Sequence, residues 1–144
     1  MVRPAQATIP MISYEDVGGA AAWLERAFGF REHVGDRVQD GEGRVTHVVM
    51  RTPGGGVIFL GWPGPEYESP MRHRTGCAAA ARWLETPFVI DGVLVYVDRV
   101  DDHAAAARSA GARIIRPPET IPLGRLYSAE DLEGHRWMFM EAPA

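Results

Sequence analysis

The sequence predicts an α+β protein made of two tandem βαβββ modules. Three observations carry this expectation. Short β-prone runs alternate with helical stretches in the order β-α-β-β-β, linker, β-α-β-β-β. The two halves repeat: Tyr14 and Tyr96, Asp16 and Asp98, and Gly29 and Gly111 are each 82 residues apart, at similar places in their strand-helix units. Sixteen glycines and eleven prolines among 144 residues punctuate the chain into short elements.

The first module spans about residues 8–62. Thr8 to Tyr14 reads as a short strand, with Pro10 placing it at an edge or a strand start. Asp16 is the expected N-cap of a helix, because a short carboxyl side chain there accepts an orphan N–H of the first turn. Val17, Ala20, Ala21, Leu24 and Phe28 then recur at three- and four-residue steps, and Gly29 ends the helix as a C′ residue. Strands are expected over Phe30 to Asp36, Arg44 to Thr52 and Gly56 to Trp62. Asp40-Gly41-Glu42-Gly43 and Pro53-Gly54-Gly55 supply the turns between them.

The stretch 63–91 breaks the rhythm. Pro63-Gly64-Pro65 and Ser69-Pro70 read as irregular loop, and Arg72-His73-Arg74 as a small solvated basic cluster. Cys77 to Leu84 suits a short helix. The second module, about 92–142, begins with a strand at Val93 to Val97. Asp101 or Asp102 is the expected cap of an alanine-rich helix that Gly111 ends. Strands follow at Ala112 to Arg116, Arg125 to Ala129 and His135 to Glu141, and Glu141 at the sheet's end is expected to be solvated.

Composition narrows the function. Fifteen Lys and Arg against nineteen Asp and Glu leave a net charge of −4, which argues against a generally basic nucleic-acid binder. No run approaches the ~20 apolar residues of a membrane-spanning helix. No secretory signal is visible, and the lone Cys77 forms no internal disulfide, so a cytoplasmic location is expected. Neither a GxGxxG nor a Walker pattern occurs. No Ser-His-Asp or Cys-His arrangement is supported.

Several strings resemble one family. They are 22–30 (Ala-Trp-Leu-Glu-Arg-Ala-Phe-Gly-Phe), 95–103 (Val-Tyr-Val-Asp-Arg-Val-Asp-Asp-His), Ala110-Gly111-Ala112, Leu123-Gly124-Arg125-Leu126-Tyr127 and Asp131-Leu132-Glu133-Gly134-His135-Arg136-Trp137. Together they resemble the vicinal oxygen chelate superfamily, which groups glyoxalase I, bleomycin-resistance proteins and extradiol dioxygenases. The Asp-x-x-Gly-His-x-Trp segment is the most specific of them. The resemblance runs from Thr8 to Glu141 and implies the glyoxalase/bleomycin-resistance fold, two βαβββ modules whose curved sheets form a ligand cup.

Enzymes of that superfamily hold a divalent metal with His, Gln or Glu from the first and last strands of each module. The resemblance places those positions near Ile9, Phe59, Gly92 and Met138, and none carries a metal-ligating side chain. No metal and no other cofactor is therefore expected. The resistance-protein branch, by the same resemblance, binds its drug in a metal-free cup.

Strand alternation extends the wall of that cup to Met11, Ser13, Phe59, Leu94, Tyr96, Arg136, Met138 and Met140. Such a wall is apolar and methionine-rich, with one phenol and one guanidinium to meet a polar group. Alternatively, the same side chains simply fill a core. His47, mid-strand, either lines the cup or faces solvent, and His135 reads as structural. Arg125 either clamps an anionic ligand or fixes its own loop.

The functional expectation is a protein that binds a small, largely apolar molecule in a metal-free cup, antibiotic sequestration being one such role. The alternative is a metal-dependent lyase, isomerase or dioxygenase with a displaced site built from His47, His135 and Glu141. A homodimer is the expected assembly, with Trp83 and Phe88 as interface candidates. The roughly 29-residue insert, long for a connection between elements, is either a lid over the cup or a tether.

Overall fold

The computed structural model describes residues 6–85 and 92–142. They form two compact units, one ending at Tyr67 and one beginning at Glu68. Part of the expected insert thus belongs with the second module. Its residues 86–91, including Phe88, lie outside the described residues.

In the first unit, β1 (Met11–Ser13) is followed by α1 (Val17–Phe28), β2 (Arg31–Glu32), β3 (Val38–Gln39), β4 (Val45–Arg51) and β5 (Val57–Gly61). The sheet order is β1-β5-β4-β2, with β3 also on β4, and β1 runs parallel to β5. Asp16 caps α1 by accepting the Gly19 N–H at 3.0 Å, and Gly29 closes it with φ +73°. The helix buries Val17, Ala20, Ala21, Leu24 and Phe28. On the sheet, Val48, Met50, Ile58 and Leu60 are the fully buried members of β4 and β5, in paired register, and form the helix-facing side.

The expected continuous strand over Phe30 to Asp36 is not formed. A 3-10 turn at Val34–Asp36 interrupts it, because Asp36 and Arg37 donate to His33 and Val34 carbonyls instead of to a neighbouring strand. Arg37 fixes the detour with a two-pronged bond to Glu32, both contacts 2.8 Å.

The second unit begins with α2 (Pro70–Gly76) and α3 (Ala78–Leu84). Ser69-Pro70, expected as loop, is a helix start: Ser69 Oγ accepts the Arg72 N–H, and the missing N–H of Pro70 costs nothing in the first turn. Then come β6 (Val93–Val97), α4 (Val100–Ser109), β7 (Arg113–Ile121), β8 (Gly124–Glu130) and β9 (Arg136–Glu141), in sheet order β6-β9-β8-β7 with β6 parallel to β9. Each module thus pairs its first strand in parallel with its last.

Three expectations in this unit need correction. Neither Asp101 nor Asp102 caps α4; Arg99 occupies the cap position and makes no side-chain cap bond. The acceptor comes from β9 instead, where Glu141 Oε1 takes the Val100 N–H at 3.2 Å, so Glu141 is not simply solvated. Strand β7 runs on to Ile121 through Pro117 and Pro118. Edge position and register shifts at Arg116 and Glu119 leave no ladder bond for the prolines to break.

Candidate functional site

Each sheet has one face under its helix and one facing away from it. In the first unit the outward face carries Met11, Ser13, His47 and Phe59. The pairing Met11–Phe59 and Ser13–Gly61–His47 sets these side chains in two adjacent rows. The His47 ring stands edge-on to Phe59, centroids 4.9 Å apart, which puts both on this side of the sheet. Gly61, between His47 and Ser13, leaves open space where a side chain would stand. Met11 is 77% exposed. Tyr67 donates its hydroxyl to the Ser13 carbonyl at 3.0 Å and ties the chain after β5 to the edge strand.

In the second unit Val95 and Val97 are buried on the helix side, so Leu94 and Tyr96 point the other way and remain exposed. Register across the sheet then builds three rows on the outward face. Tyr96 pairs with Met140 and Met140 with Leu126; Leu94 pairs with Met138, Met138 with Ser128 and Ser128 with Arg116; Arg136 pairs with Glu130 and Glu130 with Arg113. The apolar part is soft and methionine-rich, and the far end is charged.

Arg125 is not on this face. It forms a two-pronged ion pair with Asp101 of α4, both contacts 2.7 Å, and bonds Thr120 Oγ1 at 3.1 Å. It therefore ties its own strand to the helix side. The reason is parity: Arg125, Tyr127 and Ala129 share the side opposite to Leu126, Ser128 and Glu130. The Arg125 guanidinium holds the Asp101 carboxyl below its usual range. What this pair adds to stability is present above the ordinary carboxyl value and fades as pH falls through the lowered one.

Below α4, Tyr127 stacks on Phe139 and accepts or donates a 2.6 Å bond at His103 Nδ1. Burial pushes the Tyr127 phenol well above its usual range. Tyr127 and Phe139 are fully buried, and His103 of α4 is half-buried above them.

Four residues on or beside the second unit's outward face escaped the sequence reading: Arg74, Arg113, Ser128 and Glu130. Glu130 is 1% exposed and is held by Arg74 of α2 and Arg113 of β7, with contacts of 3.0 to 3.2 Å. The basic cluster read as solvated loop thus has one member in a buried ion pair. Parity along β8 would have revealed Ser128 and Glu130 had the register to β9 been known; nothing in the sequence pointed to Arg74.

The donor set on these faces does not suit a divalent metal. The first face offers the single imidazole of His47, and on the second Glu130 is taken up by arginines. His135 sits at a turn where its backbone bonds Asp131, and Glu141 caps α4. Among the described residues no three His, Cys, Asp or Glu side chains converge as a metal site. A separate cleft of about 470 Å³ opens at the N-terminus of α1, lined by Glu15, Asp16, Glu42 and Arg44 among others. Its charged, turn-built lining differs from the apolar wall of the two sheet faces.

Comparison with known proteins matches this geometry. Residues 7–139 fit the sequence family described as Glyoxalase/Bleomycin resistance protein/Dioxygenase superfamily. No match is found among curated proteins. Among solved structures, TioX from Micromonospora sp. ML1 is 31% identical, with 96% of this chain and 98% of that one covered and a TM-score of 0.66. A glyoxylase/bleomycin resistance protein/dioxygenase domain from Frankia sp. EAN1pec shares the fold at 17% identity, 98% and 100% coverage and a TM-score of 0.65. The fosfomycin resistance protein FosX from Listeria monocytogenes does so at 12% identity, 99% and 96% coverage and a TM-score of 0.62.

Proposed function

The chain belongs to the glyoxalase/bleomycin resistance protein/dioxygenase superfamily, and from that premise we propose that it binds a small, largely apolar molecule without a metal. The ligand lies against an outward sheet face, and the role is sequestration, an antibiotic being one such ligand. One observation carries the reading. Met11, Leu94 and Tyr96, three of the large apolar side chains left exposed, all sit on these outward faces. Exposed apolar surface of this kind marks a place where something binds. Methionines beside it adapt to irregular shapes, and Tyr96 offers a flat ring with a polar tip. The donor chemistry does not support the metal-dependent alternative.

A neutral naphthalene dye, N-phenyl-1-naphthylamine, tests the proposal by fluorescence titration. Saturable binding is expected, weakened about tenfold by Tyr96→Ala, since burying one such side chain contributes on the order of 1.5–3 kcal/mol. Arg125→Met, on the helix side, leaves the affinity within about twofold by the same scale. Zinc, nickel or manganese is expected to leave the melting temperature unchanged. Dye that fails to saturate, or a metal that raises the melting temperature, overturns the reading.

The proposal includes a homodimer, which the family resemblance implies and the exposed Trp83 of α3 supports. Sedimentation equilibrium that returns a monomer at micromolar concentration would remove that part.

A further inference from the structure

We propose that the notch over Gly61 on the first unit's outward face receives the hydroxyl-bearing edge of a flat aromatic molecule, with His47 as its hydrogen-bonding partner. The inference rests on the reading above that an outward sheet face takes a small apolar ligand, and it adds a place and a polar handle.

The notch follows from the pairing. Gly61 lies in register between Ser13 of β1 and His47 of β4, and Phe59 stands two residues before it on the same side of β5. A glycine at that crossing leaves a gap in a row of side chains. No atom comes within 4 Å of the point its Cβ would occupy. Nor does the backbone require glycine there, because Gly61 is not among the glycines with positive φ. A glycine paired on both sides in a sheet, demanded neither by crowding nor by conformation, marks a place where something else approaches the backbone.

His47 supplies the chemistry. Its Nε2 is shut off from water and has no hydrogen-bond partner. The ring stands edge-on to Phe59, centroids 4.9 Å apart, and that neighbour offers packing without an ordinary acceptor. A ring nitrogen held this way is unfavourable in the free protein, since it has lost the water it would otherwise bond. The space over Gly61 gives the imidazole room to turn that nitrogen toward an incoming group. A neutral imidazole donates at one nitrogen and accepts at the other, and a ring hydroxyl does both, so the two match in either tautomer. Around that contact the wall is apolar, made by Phe59 with its register partners, the exposed Met11 and the buried Val49. A flat aromatic body fits against Phe59 and the bare backbone of Gly61, and Met11 adapts to its outline.

A matched pair of probes tests this. 2-Naphthol and naphthalene differ by one ring hydroxyl, and equilibrium dialysis against the full chain reads both. The naphthol is expected to bind about tenfold more tightly, the effect of one hydrogen bond that also relieves an orphaned nitrogen. His47→Phe keeps a flat ring without its nitrogens and should reduce that preference to about twofold or less. His47→Gln, whose amide both donates and accepts, should retain a preference of about threefold, which a purely structural role for the imidazole would not produce. Gly61→Val fills the notch and should weaken both probes about tenfold. It should not lower the melting temperature, because the added carbons meet open space on a backbone that suits them. Equal affinities for the two probes, a preference that survives His47→Phe, or binding indifferent to Gly61→Val overturns the notch. So does the failure of both probes to bind. The N-phenyl-1-naphthylamine titration then decides the apolar reading separately: a dye that saturates keeps it, and one that does not overturns it as well.

Discussion

Asp131→Ala is expected to cost about 4 kcal/mol and lower the melting temperature by roughly 8–16 °C. Asp131 is the buried hub of the turn between β8 and β9. Its Oδ1 accepts the Glu133 and His135 N–H groups at 3.0 Å each, and its Oδ2 accepts the Trp137 indole N–H at 3.0 Å. Alanine strands three donors, two of them in fully buried surroundings, and each orphaned group carries a penalty of about 1–3 kcal/mol. Asp131→Asn separates the two halves of the hub. Its amide oxygen retains both backbone bonds, while its amide nitrogen meets the indole N–H donor to donor, so about half the loss is expected. Thermal unfolding by circular dichroism reads both variants. An alanine variant as stable as the parent would show that water replaces the carboxyl there.

Gly134→Ala is expected to destabilise by about 3 kcal/mol, or roughly 6–12 °C, from two sources. Gly134 has φ +91°, a region where a side chain strains the backbone. A Cβ there would also stand 2.7 Å from the Met71 backbone nitrogen, on the first turn of α2. That turn docks through the Met71 N–H on the Glu133 carbonyl at 3.0 Å. The alanine must push α2 off this seat. Gly29→Ala is the control, because Gly29 has φ +73° with nothing within 4 Å of the added carbon, so strain alone acts there, about 1–2 kcal/mol. The excess at Gly134 measures the close approach. Hydrogen exchange should quicken in α2 for Gly134→Ala and not for Gly29→Ala. Equal losses at both positions would mean that α2 shifts without cost.

These two residues belong to the Asp-x-x-Gly-His-x-Trp segment, whose spacing the sequence displays and whose reason it hides. The aspartate-to-tryptophan bond spans six positions and closes only when β8 and β9 pair. The glycine is required partly by its own φ, a local matter, and partly by a helix some sixty residues earlier. Local chemistry is legible because it depends on neighbours in the chain. Contacts from elsewhere leave no spacing to read.

The same division runs through the whole protein. Alone, the sequence determined the repeated βαβββ order, the cap and end of α1 at Asp16 and Gly29, and the parity that groups Leu94 with Tyr96 and Arg136 with Met138 and Met140. Each of these follows from helical period, strand alternation or backbone sterics within a few residues. Only the tertiary structure decided that Glu141, forty-one positions away, accepts the Val100 N–H in place of a local aspartate. It also turned Arg125 to the helix side and gathered Arg74, Arg113 and Arg136 around Glu130. The physical reason is register: which residues face one another across strands depends on where the ladder starts, and a shift of one residue reverses every face.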